Sequence, residues 1–216
     1  MSLELKKRIT TSIVLFALLI FMYLYTYILI VSLIIIALIT WIEFYGLISK
    51  IFIRSKTLKF IFKSLSLMYL SLLVYGILYV VSYKPEFIIF FVYSIFVSIA
   101  SDIGGLIFGK LFKGKKLTKI SPKKTISGSI GSFIFSLMLI FPFLDTIVNH
   151  SILSLFMVTG LISLSTQLGD LFISYVKRKA KVKDTSDLLP GHGGVLDRID
   201  GIIFAIPIGY ILLNYF

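Results

Sequence analysis

The sequence contains no cysteine, which excludes disulfides, thiolate metal ligands and a cysteine nucleophile. Acidic residues are scarce: ten Asp and Glu stand against 22 Lys and Arg in 216 residues, for a formal net charge of +12. Charged residues of both signs make up 15% of the chain, well below the usual share in a soluble globular domain. Internal repeats, low-complexity linkers and an appended soluble segment are also missing, so residues 1–216 read as a single integral-membrane domain. The first apolar run is too long for a signal peptide and lacks a small-residue cleavage motif; it reads as a retained span.

Hydrocarbon side chains are abundant. Hydrophobic residues account for 58% of the sequence and mean hydropathy is +1.02, values that fit a polytopic membrane protein. A helix crosses roughly 30 Å of hydrocarbon with about 20 apolar residues. Runs suited to this occur near residues 9–25, 27–46, 60–82, 87–109, 126–146, 151–174 and 201–216. The fold class expected is therefore all-α, a transmembrane helical bundle of about seven spans. The first two spans share one nearly unbroken apolar stretch, and the last is short.

The basic residues order this topology. Lys6, Lys7 and Arg8, a second group from Lys50 to Lys63, seven residues within 110–124 and six within 177–198 make up 21 of the 22 Lys and Arg. Alternating spans put all of these on one side and leave only Lys84 on the other. By the positive-inside rule that side is the cytoplasm, with the N-terminus inside. A basic cytoplasmic surface beside anionic lipid accounts for the net charge, so no nucleic-acid partner is expected.

Polar residues enter two spans at helical spacing. Ser94, Ser98, Ser101, Asp102, Gly105 and Gly109 form one stripe, widened by Gly104. Gln167, Asp170, Ser174, Lys177, Arg178 and Lys181 form another that runs into a basic loop. A carboxylate at the centre of a membrane helix costs about 2.5–3.5 kcal/mol, so Asp102 and Asp170 each need a lysine partner, a helix end or a wet functional cavity. Glu43, near Trp41, reads as an interfacial anchor.

Two ionic cytoplasmic loops, about 110–125 and 175–200, carry the remaining signals. In the first, Ser121-Pro122-Lys123-Lys124-Thr125 sets a proline turn, two ammonium groups and two hydroxyls beside an expected helix N-terminus. That is a suitable place for phosphate, although a solvated, lipid-facing loop would look the same. The second combines five Lys or Arg before Asp184, four carboxylates (Asp184, Asp187, Asp197, Asp200), His192 and the run Pro190-Gly191-His192-Gly193-Gly194. This mixture suits a phosphate and a metal ion better than a packed core.

Ser174, Lys177, Arg178, Lys183, Asp184, Pro190, His192, Gly193, Gly194, Asp197, Arg198 and Asp200 stand in a pattern that resembles the signature of bacterial phosphatidate cytidylyltransferases, the CDP-diacylglycerol synthases. Gln167-Leu-Gly-Asp170, Ser121-Pro-Lys-Lys-Thr125, and Asp102 with Phe108-Gly109-Lys110 resemble further blocks of that family. Ser127 departs from it, standing where members usually carry an acidic residue, and the chain is shorter than many members.

The resemblance implies attack by a phosphatidate phosphate oxygen on the α-phosphorus of CTP, giving CDP-diacylglycerol and pyrophosphate at the cytoplasmic face of the bacterial inner membrane. It implies Mg2+ as cofactor, with Asp170 and Asp197 as first-choice ligands and Asp200 as a further one. Lys123, Lys124, Lys177, Arg178 and Arg198 would neutralise phosphates. Ser121, Thr125, Ser174, Lys183, Asp184, Gly193, Gly194 and Asp102 would line the substrates. His192 could bond phosphate, shape the turn or ligate metal. The resemblance alone suggests a homodimer. Alternatives left open are a CTP-dependent polyprenol or phytol kinase and an ion-coupled transporter.

Overall fold

The computed structural model describes residues 3–118, 120–147 and 151–215, with side chains from Ile9 onward. Lys119, the side chains of Lys6, Lys7 and Arg8, and the final residue of the last expected span lie outside the described residues. Nearly everything else is helix: α1 (Leu3–Leu24), α2 (Thr26–Ile51), α3 (Lys56–Tyr83), α4 (Ile88–Leu111), α5 (Ile126–Met138), α6 (Ile140–Phe143), α7 (Ile152–Lys179), α8 (Leu196–Ile199) and α9 (Ile202–Tyr215). Among the described residues, β structure is limited to two isolated bridges, Lys116 to Thr125 and Leu189 to Gly193.

Among the described residues five segments are long and apolar enough to cross a membrane: Thr26–Ile51, Lys56–Tyr83, Pro85–Leu111, Ile126–Phe143 and Ile152–Lys179. These correspond to the middle five of the seven expected spans. The outer two fall on α1, whose apolar part is the shorter Ile9–Leu24, and on the 14-residue α9. Large apolar side chains are widely exposed, including Phe16, Tyr27, Phe60, Leu72 and Leu153, which hydrocarbon tolerates and water does not.

Local chemistry sets the breaks. The apolar stretch shared by α1 and α2 is cut at Tyr25, which takes an extended conformation (φ −128°, ψ 109°). The third span ends at Tyr83 because Pro85 disfavours helical geometry at Lys84, and Pro85 then opens a short 3-10 turn, Pro85–Phe87. The fifth expected span is interrupted after Met138 and resumes as the one-turn α6.

The chain divides into two compact units, one of residues 1–78 and 176–199, the other of residues 79–175 and 200–216. The first unit holds α1, α2, most of α3, the C-terminal turn of α7, the 180–195 loop and α8. Leu47, Ile48, Leu70, Val176 and Leu196 are buried there. Only 17% of the apolar window of α3 is buried within the chain, so this helix presents most of its surface outward.

The second unit is built on α4, α5, α7 and α9 around Phe90, Tyr93, Val97, Ile140, Leu155, Val158, Ile162, Ala205 and Leu213. Small residues let α4 and α5 touch along their backbones. A Cβ on Gly104 would stand 2.3 Å from the Gly131 carbonyl oxygen, and one on Gly131 would stand 2.3 Å from Phe108 Cβ. The serine stripe of α4 faces inward: Ser101 bonds Ser163 of α7 at 3.0 Å, and Ser132 of α5 donates to the Ser101 carbonyl at 2.7 Å. Asp102, expected on that stripe, is instead exposed beside it. The Gly131→Val variant should lower thermal stability by about 1–3 kcal/mol, the usual cost of overpacking. A melting-temperature shift in detergent reads this directly.

Candidate active site

In the first unit the 180–196 segment is shaped by a chain of local devices. Helix α7 ends in a paired turn: Val182 N–H donates to the Lys177 carbonyl at 3.0 Å and Lys181 N–H to the Arg178 carbonyl at 3.1 Å, with Lys181 left-handed at φ 57°. Arg178 is exposed and donates from Nη1 to the Val182 carbonyl at 3.1 Å. Further on, Pro190 and Gly191 occupy the centre of a tight turn closed by His192 N–H to the Leu189 carbonyl at 2.8 Å. With Gly191 at φ 76° this is the type II arrangement that a Pro-Gly pair favours. Gly193, at φ 84°, completes a second left-handed step.

Two carboxylates hold this segment. Glu43, only 7% exposed in the C-terminal half of α2, accepts from Thr185 Oγ1 (2.9 Å), Ser186 Oγ (2.6 Å), Val195 N–H (3.0 Å) and Leu196 N–H (2.8 Å). Asp197, whose side chain is 4% exposed, accepts from Lys177 Nζ on Oδ1 at 2.6 Å. Its Oδ2 takes Thr185 N–H (2.8 Å), Thr185 Oγ1 (2.9 Å) and Gly194 N–H (3.0 Å). Thr185 Oγ1 thus lies at donor distance from both carboxylates, and its single proton serves one of them at a time.

Gly194 is the residue that admits this crowding. A Cβ there would stand 2.0 Å from Thr185 Oγ1 and 2.6 Å from both Glu43 oxygens. The space that the glycine leaves is therefore filled by the protein's own side chains. Burial pushes the Asp197 carboxyl upward. The hydrogen bond from Lys177, those from the Thr185 and Gly194 amides and the Lys177 charge outweigh it, so the net pKa lies below the ordinary carboxylate value.

Beside this hub lies an open, largely polar cavity of about 740 Å3, lined by Lys183, Asp184, Asp187, His192, Arg198 and the 189–193 turn. Sequence-predicted Lys183, Asp184, His192, Gly193 and Arg198 thus share one cavity. Arg198 Nη2 donates to the His192 carbonyl at 2.8 Å. The His192 ring has Nε2 3.5 Å from Ser12 Oγ, while its buried Nδ1 has no hydrogen-bond partner. Thr11 Oγ1 donates to the Pro190 carbonyl at 3.1 Å, so α1 supports the turn.

The second unit carries the other group. Ser121 to Lys124 form a proline turn closed by Lys124 N–H to the Ser121 carbonyl at 3.0 Å. Thr125 then caps α5, accepting from Gly128 N–H at 3.1 Å. Lys124 Nζ forms an ion pair with Asp170, which also accepts from Ser174 Oγ at 3.3 Å. Lys123 is exposed. Ser127, at the departure from the family pattern, bonds Thr125 Oγ1 at 3.0 Å and the Lys113 carbonyl, fastening the basic loop to the α5 cap. Asp200 Oδ1 accepts from Gly201 N–H at 3.0 Å.

Asp170 and Asp197 fall in different units, and each has a lysine of its own. Among the described residues no three His, Asp or Glu side chains gather into a metal cage. Glu43 was missed as a site organiser by sequence reasoning, which took it for an interfacial anchor. The available signal was its isolation as the one acid in the 26-residue α2. Thr185 and Ser186 carried no sequence signal.

Apolar helices of membrane-crossing length, with lysines, arginines and carboxylates clustered at their ends, mark the chain as a helical membrane protein. The chain belongs to the cytidylyltransferase family, whose model matches residues 2–216. It is similar to the phosphatidate cytidylyltransferase of Staphylococcus haemolyticus (strain JCSC1435), 41% identical over 140 residues that cover 64% of this chain and 54% of that protein. The Rickettsia bellii (strain RML369-C) protein of the same name is 44% identical over 115 residues, half of each chain. That of Staphylococcus aureus (strain COL) is 39% identical over 140 residues. The chain spans about half the length of the curated relatives it matches.

Two measurements test the carboxylate hub. In Glu43→Gln one acceptor oxygen becomes an NH2 that faces a backbone N–H, so the 184–196 segment should lose about 1–3 kcal/mol of local stability. Faster amide exchange or protease nicking confined to that segment would register it. Because the folded pKa of Asp197 is depressed, its stabilisation is present above the unfolded value of about 3.9 and is lost only as pH falls through the lower folded value. Protection of the Thr185 and Gly194 amides should therefore stay level from neutral pH down to about 4 and fall only in stronger acid.

Proposed function

We propose that this protein transfers CMP from CTP to phosphatidate, giving CDP-diacylglycerol and pyrophosphate. The observation that carries this reading is the polar cavity lined by Lys183, His192 and Arg198, set on a helical membrane protein of the cytidylyltransferase family. The names of the relatives point to the same reaction. In this reading there are seven spans, the N-terminus is cytoplasmic and both ionic loops meet the cytoplasmic leaflet of the bacterial inner membrane, where a lipid phosphate can be met without leaving the bilayer.

The reaction joins two anions. An oxygen of the phosphate monoester forms a bond to the α-phosphorus, the bond from that phosphorus to the bridging oxygen breaks, and pyrophosphate leaves with the electron pair. The chain's cations would do most of the work. Lys183 and Arg198 would receive the triphosphate, Arg198 through its planar fork, while the His192 carbonyl holds that guanidinium in place. Lys123, exposed beside the capped start of α5, would meet a second phosphate. Lys177 and Lys124 each compensate a carboxylate at rest and would be released to substrate phosphate when that carboxylate finds another cation.

Mg2+ would draw charge from the phosphate oxygens and stabilise the leaving pyrophosphate. The donor chemistry fits, since hard carboxylate oxygens are its preferred protein ligands. Asp170 fits best: its side chain is 27% exposed and it has acceptor capacity beyond Lys124 and Ser174. Asp197 has both oxygens filled by protein donors and would join only by giving up Lys177 or a loop contact. Asp200, just ahead of α9 and bonded through Oδ1 to Gly201 N–H, is retained as a further candidate.

Purified protein should incorporate label from α-labelled CTP into phosphatidate only when Mg2+ is supplied. Asp170→Asn should lower that rate at least a hundredfold with helix content unchanged, on the order expected for loss of a charged metal ligand. Transfer of label from γ-labelled CTP to a lipid alcohol would support the kinase alternative and sink the synthase reading.

A further inference from the structure

On the face of α2 opposite Glu43 lies a second cavity, of about 420 Å3, lined by Trp41, Tyr45, Lys59, Lys63, Phe60 and Leu67, with Lys56 and Ser64 at its edge. It occupies the C-terminal end of α2 and the N-terminal end of α3, the ends of two membrane-length helices, where headgroups and acyl chains meet. Lys56, Lys59 and Lys63 recur at helical spacing along one side of α3. Among the described residues none of the three is ion-paired.

The side chains are organised for an anion. Lys63 Nζ sits 3.0 Å from the centroid of the Tyr45 ring, and Trp41 Nε1–H donates to the Lys63 carbonyl at 3.3 Å. Trp41 and Tyr45 pack edge to face with centroids 5.5 Å apart. Local helix energetics oppose this arrangement: the first turn of α3 carries no acid, and cations at a helix N-terminus are disfavoured by the backbone dipole. Charge needed only to orient the chain could sit anywhere in the connecting loop. Here the ammonium groups border a cavity with mostly apolar walls, and Phe60 and Leu67 open it to the surroundings.

We propose that α2 and α3 form a binding site for an anionic phospholipid, with the headgroup phosphate among Lys56, Lys59 and Lys63 and an acyl chain along Trp41, Phe60 and Leu67. A free phosphate would satisfy the lysines and leave the aromatic and aliphatic walls without a role; a lipid uses both. This site is distinct from the nucleotide cavity and shares no lining residue with it.

Trp41 is the sole tryptophan of the chain, so its fluorescence reports on this site alone. The full chain would be reconstituted in phosphatidylcholine vesicles containing a small, equal fraction of acyl-brominated phosphatidylglycerol or acyl-brominated phosphatidylcholine. The anionic lipid should quench Trp41 with at least about fivefold higher apparent affinity, the scale of a single lysine near an anionic surface, and the preference should shrink as salt rises. The double variant Lys59→Gln/Lys63→Gln should quench equally with both lipids while keeping its helix content. Equal quenching in the unmodified protein, an undiminished preference in the double variant, or a Trp41 response to inorganic phosphate without preference for the anionic lipid would each overturn the proposal.

Discussion

A carboxylate inside an oily chain has to be given hydrogen-bond donors, and this requirement governs the first unit. Glu43 and Asp197 together collect hydroxyls, amides and one ammonium from residues far apart in sequence. The packing at both ends of the 180–196 segment follows from meeting it. Gly194 has no side chain because Glu43 and Thr185 take the room, Thr185 turns inward toward both acids, and Lys177 is buried beside Asp197. Ions buried this way add little net stability, but removing one partner is costly, so they specify a single geometry.

The second unit solves its packing problem without charge. Glycines and serines bring α4 against α5 and let α4 and α7 exchange hydroxyl bonds, the usual means of association where hydrocarbon supplies no drive between helices. An ion pair, Lys124 with Asp170, stands at the end of the serine-lined region. Each unit thus contributes a lysine–carboxylate pair at rest. In the proposed reaction each pair is a stored cation, available to phosphate once its acid is otherwise engaged.

Much of this was legible from local chemistry. The five long apolar segments, the proline turn before a capped helix at Thr125 and the Pro-Gly turn at 190–191 all follow from residue types whose conformational preferences act over a few positions. What was not legible depends on distant parts of the chain. Helical spacing placed Asp102 with Ser98 and Ser101, yet the neighbours of α4 bury the serines and leave Asp102 exposed. A lysine partner was one of the ways to satisfy Asp170, but the sequence does not say which lysine: Lys124 is separated from it by α5, α6 and most of α7. Glu43 was visible as an isolated acid, but its partners were not, because a carboxylate that collects backbone amides leaves no mark on their side chains.

Glu43 grips Thr185 and Ser186 at one end of the loop and Val195 and Leu196 at the other, so a single side chain closes the segment into a ring. The entropy of bringing those ends together is met by the fold itself and need not be met by a ligand. Drift in the family should respect that ring. An insertion beside either anchor, next to Ser186 or Val195, would pull a donor off the acid and cost the loop its shape before it touched the cavity that the 189–193 turn helps to line.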